Sequence, residues 1–136
     1  RGVTIDAGMK REGEPTGAVA EGIGFAMGGW GERELIENYL IPKKMPIDSI
    51  VVKVGFAEAI VPMKKEVYDS LPKVQEFVKK AARRAKKNEK LIIIGVGNSS
   101  GIGDSKKELK GVKELVEKLD RKIKQEEKES KKRRWF

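Results

Sequence analysis

The sequence lacks both cysteine and histidine. Without cysteine, the chain has no disulfide, no thiolate nucleophile and no cysteine ligand for zinc. Without histidine, it lacks the commonest general base near neutral pH and the commonest ligand of transition metals. Catalysis would therefore have to use carboxylates, lysine, tyrosine, serine or backbone amides. Any bound metal would be a hard cation on carboxylates, such as Mg²⁺.

Aromatic residues are scarce and long apolar runs are missing. Phe, Trp and Tyr make up 6% of the chain, and they are not interleaved with the basic stretches, which argues against recognition of single-stranded nucleic acid by stacking. No run approaches the roughly 18 apolar residues that a membrane helix needs, and no signal peptide is visible. We therefore predict a cytoplasmic location.

Charged residues, in contrast, are abundant. They make up 38% of the chain, with a net charge of +9, against about 25% in typical soluble domains. This Lys/Glu-rich composition is typical of thermophilic proteins. Positive charge concentrates in residues 79–90 and from Ser105 onward. Such a surface can contact nucleic acid or an anionic membrane surface, although a solvated face with internal ion pairs is the simpler interpretation.

The length and pattern predict one α/β domain over residues 1–123, followed by a charged helical extension or tail over 124–136. We expect a three-layer sandwich of βαβαβα order, with a short, mainly parallel sheet and a long C-terminal helix. Strands are predicted at 3–7, 49–56 and 91–96. The third is an unbroken aliphatic run, typical of a central parallel strand. Since three strands make a thin sheet, we expect another strand or a homo-oligomeric partner to complete it.

Helices are predicted where apolar residues recur at spacings of three and four. In the first of these stretches, Val19 and Ile23 share one face, although each interior glycine costs a helix about 1 kcal/mol. The last predicted helix opens with a capping box, in which Ser105 is followed three residues later by Glu108. The predicted helices cover residues 16–27, 32–41 and 70–88, short pieces within 57–70, and the segment from Ser105 onward.

The strongest functional motif is "LIIIGVGNSSGIGD", residues 91–104. Glycine-rich turns before a helix present backbone amides to an anion, and the serine hydroxyls and asparagine amide within the motif add donors. The turn resembles the TGxxxGxG cofactor loop of short-chain dehydrogenases, with matches at Gly97, Gly101 and Gly103. Only one helix follows the turn here, so the second strand and acidic residue of a dinucleotide fold are missing. The lysine of a P-loop is missing as well.

In open parallel sheets, ligands bind beyond the carboxyl ends of the strands. We therefore predict a site for a phosphate-bearing small molecule or nucleotide, with Mg²⁺ as a candidate cofactor. Hydrolysis by nearby carboxylates is compatible with such a site. The alternative function is a non-enzymatic interaction module, and a structural strand-to-helix connection is the simplest interpretation of the turn. The candidate ligand-binding residues are Gly95, Gly97, Asn98, Ser99, Ser100, Gly101, Gly103, Asp104, Asp6, Lys53 and Glu21.

Two stretches together carry a resemblance that covers nearly the whole chain. "GVTIDAGMKREGEPTGAVAEGIGFAMGG" and "GVGNSSGIGD" resemble the C-terminal soluble part of an uncharacterised archaeal protein family of unknown function. The resemblance implies an archaeal source and a longer natural chain with an apolar N-terminal segment, which would tether it to the cytoplasmic face of the membrane. Because the chain begins at Arg1 rather than Met, we expect a fragment. The resemblance implies no activity.

Overall fold

The computed structural model describes residues 1–24, 26, 32–97, 99–103 and 105–134. Its strands are β1 (Gly2–Met9), β2 (Val19–Ile23), β3 (Ile47–Val54) and β4 (Ile92–Gly95). They form one mixed sheet in the order β2-β3-β1-β4. The three strands β3, β1 and β4 run parallel, and β2 pairs antiparallel with β3. The predicted α/β fold with a mainly parallel sheet is confirmed.

From residue 32 onward, the helices of the described residues follow the predicted order. Pro72 lies in the first turn of α4 (Leu71–Arg83), where a backbone N–H has no partner within the helix, so the missing N–H of proline costs no helical hydrogen bond. The long C-terminal helix is confirmed, and it continues to Arg134. The helices are α1 (Glu32–Leu40), α2 (Phe56–Ala59), α3 (Lys65–Asp69), α4 (Leu71–Arg83) and α5 (Val112–Arg134), which a 3-10 turn (Glu108–Gly111) precedes.

Strand β1 lies in the interior of the sheet and is buried on both faces. Val3 on one face is 0% exposed and Thr4 on the other is 2% exposed. The Thr4 hydroxyl lies 3.0 Å from that of Ser49 on β3, so the two buried hydroxyls satisfy each other. The Ser49 hydroxyl also donates to the carbonyl of Gly24. Gly24, directly after β2, therefore lies against this face of the sheet.

Strand β4 does not take the central position that its aliphatic sequence predicts. It is the edge strand next to β1, and Ile92, Ile93 and Ile94 are 51%, 51% and 45% exposed. A continuous apolar run indicates that both faces of a strand need cover. The described residues cover these faces only in part. The predicted strand is confirmed, but its predicted central place in the sheet is wrong.

The predicted helix over residues 16–27 was also wrong, because Val19–Ile23 forms β2. A separation of four residues places Val19 and Ile23 on one face of a helix, but it also places them on one face of a strand, since four is a multiple of two. Gly22 between them disfavours helix, and the register pairs Val19 with Val52 and Ile23 with Asp48. The described residues therefore form four strands rather than the predicted three.

Helix α4 covers one face of the sheet and forms the main core. Its Val74 and Ala81 are buried against Val3, Ile50 and Val52. A smaller second cluster joins the start of α5 to the α2–α3 region: Ile102, Val112 and Val116 pack against Met63 and Tyr68. The second cluster therefore attaches the start of α5 to the segment that follows β3.

Asp48 connects three separate parts of the fold. One carboxylate oxygen accepts a hydrogen bond from Arg1 before β1, and the other accepts one from Arg84 after α4, both at 2.9 Å. The Asp48 side chain is only 6% exposed. Removing one partner from a buried ion pair leaves the remaining charges without compensation in a medium of low dielectric.

We therefore predict that Asp48→Asn lowers the free energy of unfolding by about 2–4 kcal/mol, as measured by urea denaturation at neutral pH. Asp69→Asn is the matched control, because Asp69 forms an exposed i,i+4 pair with Lys65. Such pairs contribute less than about 1 kcal/mol. Equal losses in the two variants would show that Asp48 has no special structural role.

Candidate functional site

An open cavity of about 450 Å³ lies at the carboxyl ends of β1, β3 and β4. We call it the strand-end cavity. Its volume falls within the roughly 300–1,000 Å³ typical of small-molecule sites. Its apolar lining consists of Ile5, Ala7, Val52, Val54, Ala59, Met63, Val67, Leu71 and Val96. Its remaining lining consists of Asp6, Glu58, Lys64, Ser99, Gly95 and Gly97.

The cavity exists because β4 is shorter than β1. Strand β3 pairs with β1 from Gly2 to Met9, but β4 pairs only with Gly2–Ile5. The last bond on this side runs from the amide of Val96 to the carbonyl of Ile5, at 2.8 Å. From Asp6 onward, no described strand covers this edge of β1. The amide of Ala7 is instead satisfied by the carboxylate of Asp6, at 2.7 Å.

The glycines of the turn after β4 have distinct structural roles. Gly97 and Gly101 have φ angles of +81° and +77°, a region that glycine adopts without steric cost. A Cβ at Gly103 would lie 2.2 Å from the carboxyl carbon of Glu108, so a larger residue there would displace that flexible side chain from its present position. Gly95 has neither constraint, because a Cβ there would meet nothing within 4 Å.

The predicted capping box forms, and it restricts where an anion can bind. The Glu108 carboxylate accepts from the amide and the hydroxyl of Ser105 at 3.2 and 2.5 Å, and the Glu108 amide donates to that hydroxyl at 3.3 Å. These hydrogen bonds lower the pKa of Glu108. Since the chain's own carboxylate occupies this end of the turn, the β4 end, where Gly95, Gly97 and Ser99 line the cavity, is the better candidate for binding an external anion.

A polar cluster borders the cavity at the end of β3. Its centre is Glu58, which accepts hydrogen bonds from the amide of Gly55 at 2.6 Å, from Lys64 at 2.9 Å and from Thr16 at 2.8 Å. Lys10 donates to Thr16 at 2.8 Å and lies 3.7 Å from Glu58. The cluster therefore joins the loop after β1 to the start of α2.

The amide of Gly55, followed by the Lys64 ammonium, lowers the pKa of Glu58 to about 2. The same pairing raises the pKa of Lys64. A carboxylate with so low a pKa is a poor general base near neutral pH. Glu58 is therefore suited to holding the loop and balancing the lysines, and not to transferring protons.

The structure brings some of the predicted site residues together and separates others. Asp6, Gly95, Gly97 and Ser99 line the strand-end cavity. Ser100 lies beside them and forms a parallel bridge with Pro62. Gly101 and Gly103 belong to the part of the turn that leads to the capping box.

Two predicted residues lie elsewhere. Glu21 is on β2 and forms an ion pair with Lys80 of α4. Lys53 does not line the cavity; its backbone bonds Ala18 and Gly17 at the antiparallel edge of β3. Residues 19–23 form strand β2 instead of the predicted helix. As a result, Glu21 lies in the sheet and Lys53 lies on the side of β3 that faces β2. Asn98 and Asp104 lie outside the described residues.

Sequence reasoning missed the lysines and the threonine of the polar cluster. Glu58 had a recognisable signal, since a glutamate three residues after a helix-start residue commonly returns to cap it. Lys10, Thr16 and Lys64 are brought together by the tertiary fold from positions far apart in the chain. No local spacing connects them.

Two features are absent from the described residues. In the part of the chain that the structure describes, no group of three or more acidic side chains is arranged to hold a metal ion. None of the described helices is long and apolar enough to cross a membrane.

A second cavity of about 420 Å³ lies between α1 and the start of β3. Ile36 and Leu40 of α1, with Met45 and Ile47, give it an apolar lining. It lies at the amino end of β3, away from the carboxyl ends where ligands bind in parallel sheets. The strand-end cavity is therefore the stronger candidate.

Together, these features define a mixed α/β domain with an open cavity at the carboxyl ends of its parallel strands. The sequence model of the family described as "Domain of unknown function (DUF1512) C-terminal" matches residues 1–103. The chain belongs to this family, which confirms the resemblance to an uncharacterised family. The match includes each strand of the described residues and the residues that line the cavity. No curated protein and no solved structure matches the chain.

The lowered pKa of Glu58 predicts a specific dependence of stability on pH. Because folding favours the carboxylate form, its contribution is complete above the ordinary pKa of 4.5 and is lost as pH falls towards about 2. Glu58→Gln should lower the free energy of unfolding by about 1–2 kcal/mol at pH 7. It should also reduce the loss of stability between pH 4.5 and 2, as measured by urea denaturation.

Glu114→Gln is the control, since Glu114 is an exposed residue of α5. This variant should keep the acid-dependent loss of the parent chain. If Glu58→Gln showed the same acid dependence as Glu114→Gln, the hydrogen bonds around Glu58 would not stabilise its charged form.

Proposed function

We propose that the chain binds a phosphate-bearing small molecule, with a nucleotide as the best-fitting class, in the strand-end cavity. The observation that supports this most directly is the position of the cavity. It lies where β1 and β4 are neighbours in the sheet but far apart in sequence. In open α/β sheets, ligands bind in the crevice beyond the carboxyl ends of the strands, where the connections diverge.

The glycine-rich turn supports a phosphate at the β4 side of the cavity. Gly95 and Gly97 line it without side chains, so a ligand can approach the backbone closely. The Ser99 hydroxyl adds a donor at the same wall. The φ of +81° at Gly97 is the kind of local geometry from which backbone amides form anion-binding concavities.

The opposite wall supports a ligand with an apolar part. Ile5, Val52, Val54, Met63 and Val67 all face the cavity. Inorganic phosphate alone would leave this surface exposed to water, whereas a nucleobase would bury it. Burial of apolar surface contributes about 25 cal/mol per Å². This favours a nucleotide over a bare phosphate.

Charge balance gives Asp6 a role in this proposal. Glu58 is neutralised by Lys64 and Lys10, and Asp6 makes no ion pair with any described residue. A phosphate next to Asp6 would be repelled unless a cation came between them. Asp6 would therefore hold Mg²⁺ accompanying the phosphate, or accept a hydrogen bond from a ribose hydroxyl, as acidic residues do in dinucleotide folds.

The alternative, an interaction module whose basic helices contact nucleic acid or an anionic membrane surface, has less support. On α4, Lys73 and Lys80 form ion pairs with Glu76 and Glu21. Arg84, directly after α4, is bound to Asp48. These pairs reduce the positive charge that the helix presents. The unbroken basic run at the end of α5, residues 131–134, remains the main feature in favour of this alternative.

The proposal is tested by thermal unfolding with nucleoside mono-, di- and triphosphates and with inorganic phosphate, each with and without Mg²⁺. A ligand at about 100 times its Kd stabilises the folded chain by about 2.7 kcal/mol, which raises Tm by several degrees in a domain of this size. Ala7→Leu fills the cavity from β1 and should abolish the shift. Asp6→Asn should abolish any part of the shift that depends on Mg²⁺.

Ala20→Leu is the matched control, because Ala20 is also an exposed strand alanine but lies on β2, outside the cavity. It should keep the full shift. Equal shifts in the Ala7 and Ala20 variants would place the ligand elsewhere, and no shift with any nucleotide would refute the proposed class.

A further inference from the structure

Strand β4 presents an apolar edge that no described residue pairs. It is the last strand in the sheet order, and its three consecutive isoleucines are each about half exposed. Edge strands are usually protected by short length, charged residues, proline or a bulge. β4 is short, but its residues Ile92, Ile93, Ile94 and Gly95 include no charge and no proline. An unpaired edge of this kind is a template for pairing with another strand.

The hydrogen bonds to β1 show which backbone groups are available. The amide of Ile92 donates to Arg1 at 2.9 Å, and that of Val96 donates to Ile5 at 2.8 Å. In a parallel pair, alternate residues direct both backbone groups to the same neighbour. The N–H and C=O groups of Leu91, Ile93 and Gly95 therefore point away from β1, towards the free edge.

We propose that this edge is a homodimer interface, in which β4 strands from two copies pair antiparallel about a two-fold axis at Ile93. The two four-stranded sheets would then form one continuous sheet. This inference rests on the free edge of β4 and does not depend on the ligand of the strand-end cavity.

The register follows from the self-complementarity of the strand. An axis at Ile93 places that residue opposite the partner's Ile93, and their outward-facing groups exchange two hydrogen bonds. On the other face of the sheet, Ile92 lies opposite the partner's Ile94. All three isoleucines therefore gain an isoleucine neighbour across the interface, and such β-branched pairs stabilise a sheet.

The flanking residues fit the same axis. Leu91 lies opposite the partner's Gly95, and both direct their backbone groups to the edge. Lys90 lies opposite the partner's Val96, so no two like charges face each other. An axis at Ile92 would instead place Lys90 opposite the partner's Ile94. A two-fold interface uses the same patch on both subunits, which is why a second copy suits this edge better than an unrelated strand.

The net charge of +9 on each copy opposes association at long range. Salt screens this repulsion, with a Debye length of about 8 Å at physiological ionic strength. The dimer should therefore become tighter as salt increases. Binding of a basic surface to nucleic acid would show the opposite trend.

The test is size-exclusion chromatography with light scattering, combined with charge substitutions at the axis. The wild-type chain should have twice the 15.2 kDa mass of one chain. Ile93→Lys and Ile93→Glu should each be monomeric, because each places like charges opposite each other. An equimolar mixture of the two should recover the dimer, since Lys and Glu then face each other.

Ile23→Lys is the matched control. Ile23 is 88% exposed at the end of β2, so this variant should stay dimeric. A monomeric wild-type chain in high salt would overturn the proposal. Dimers in either single Ile93 variant, or a mixture that stays monomeric, would also overturn it.

Because the chain has no cysteine, a second variant tests the axis if the charged variants do not fold. Hydrogen-bonded antiparallel partners have Cα atoms about 5.5 Å apart, within the range of about 4.4–6.8 Å for disulfides. Ile93→Cys should therefore form a covalent dimer on mild oxidation, and Ile23→Cys should not. Equal crosslinking of the two, or none in Ile93→Cys, would refute the axis at Ile93.

Discussion

The unequal pairing of β1 is the constraint on which the structure depends. On one side β3 accompanies β1 for eight residues, and on the other β4 accompanies it for four. The half of β1 that pairs on both sides is buried, with Val3 and Thr4 almost inaccessible on opposite faces. The half that pairs only with β3, from Asp6 onward, contributes Asp6 and Ala7 to the wall of the strand-end cavity. Stability and the candidate site therefore come from two halves of one strand.

Two ionic groups secure the two ends of this arrangement. At the amino ends of the strands, Asp48 holds Arg1 and Arg84 together. At the carboxyl ends, Glu58 holds Lys64 and the Thr16 loop beside the cavity. Each carboxylate is only slightly exposed, so its hydrogen bonds compete little with water. With both groups engaged, Asp6 is the cavity carboxylate left without a described ion pair.

Sequence patterns were sufficient for elements with one dominant periodicity. The apolar residues of α4, spaced three and four apart, and the capping box of Ser105 and Glu108 can both be recognised from local spacing in the sequence. Strand β2 could not be recognised in this way, because the spacing of Val19 and Ile23 fits one face of a helix and one face of a strand equally well. The edge position of β4 could not be predicted either. A run of isoleucines indicates that both faces of the strand are packed against other residues, but it does not show whether those residues belong to the same chain. The polar cluster joins Lys10, Glu58 and Lys64 only through tertiary structure.

The most direct test of the central claim is to follow the backbone amides by ¹⁵N–¹H NMR while a nucleoside phosphate and Mg²⁺ are added. A ligand in the strand-end cavity predicts saturable shifts at Ala7 and at Gly95, Gly97 and Ser99, with little change along α5. Shifts confined to the basic end of α5, residues 131–134, would contradict the account, as would saturable shifts confined to the cavity beside α1.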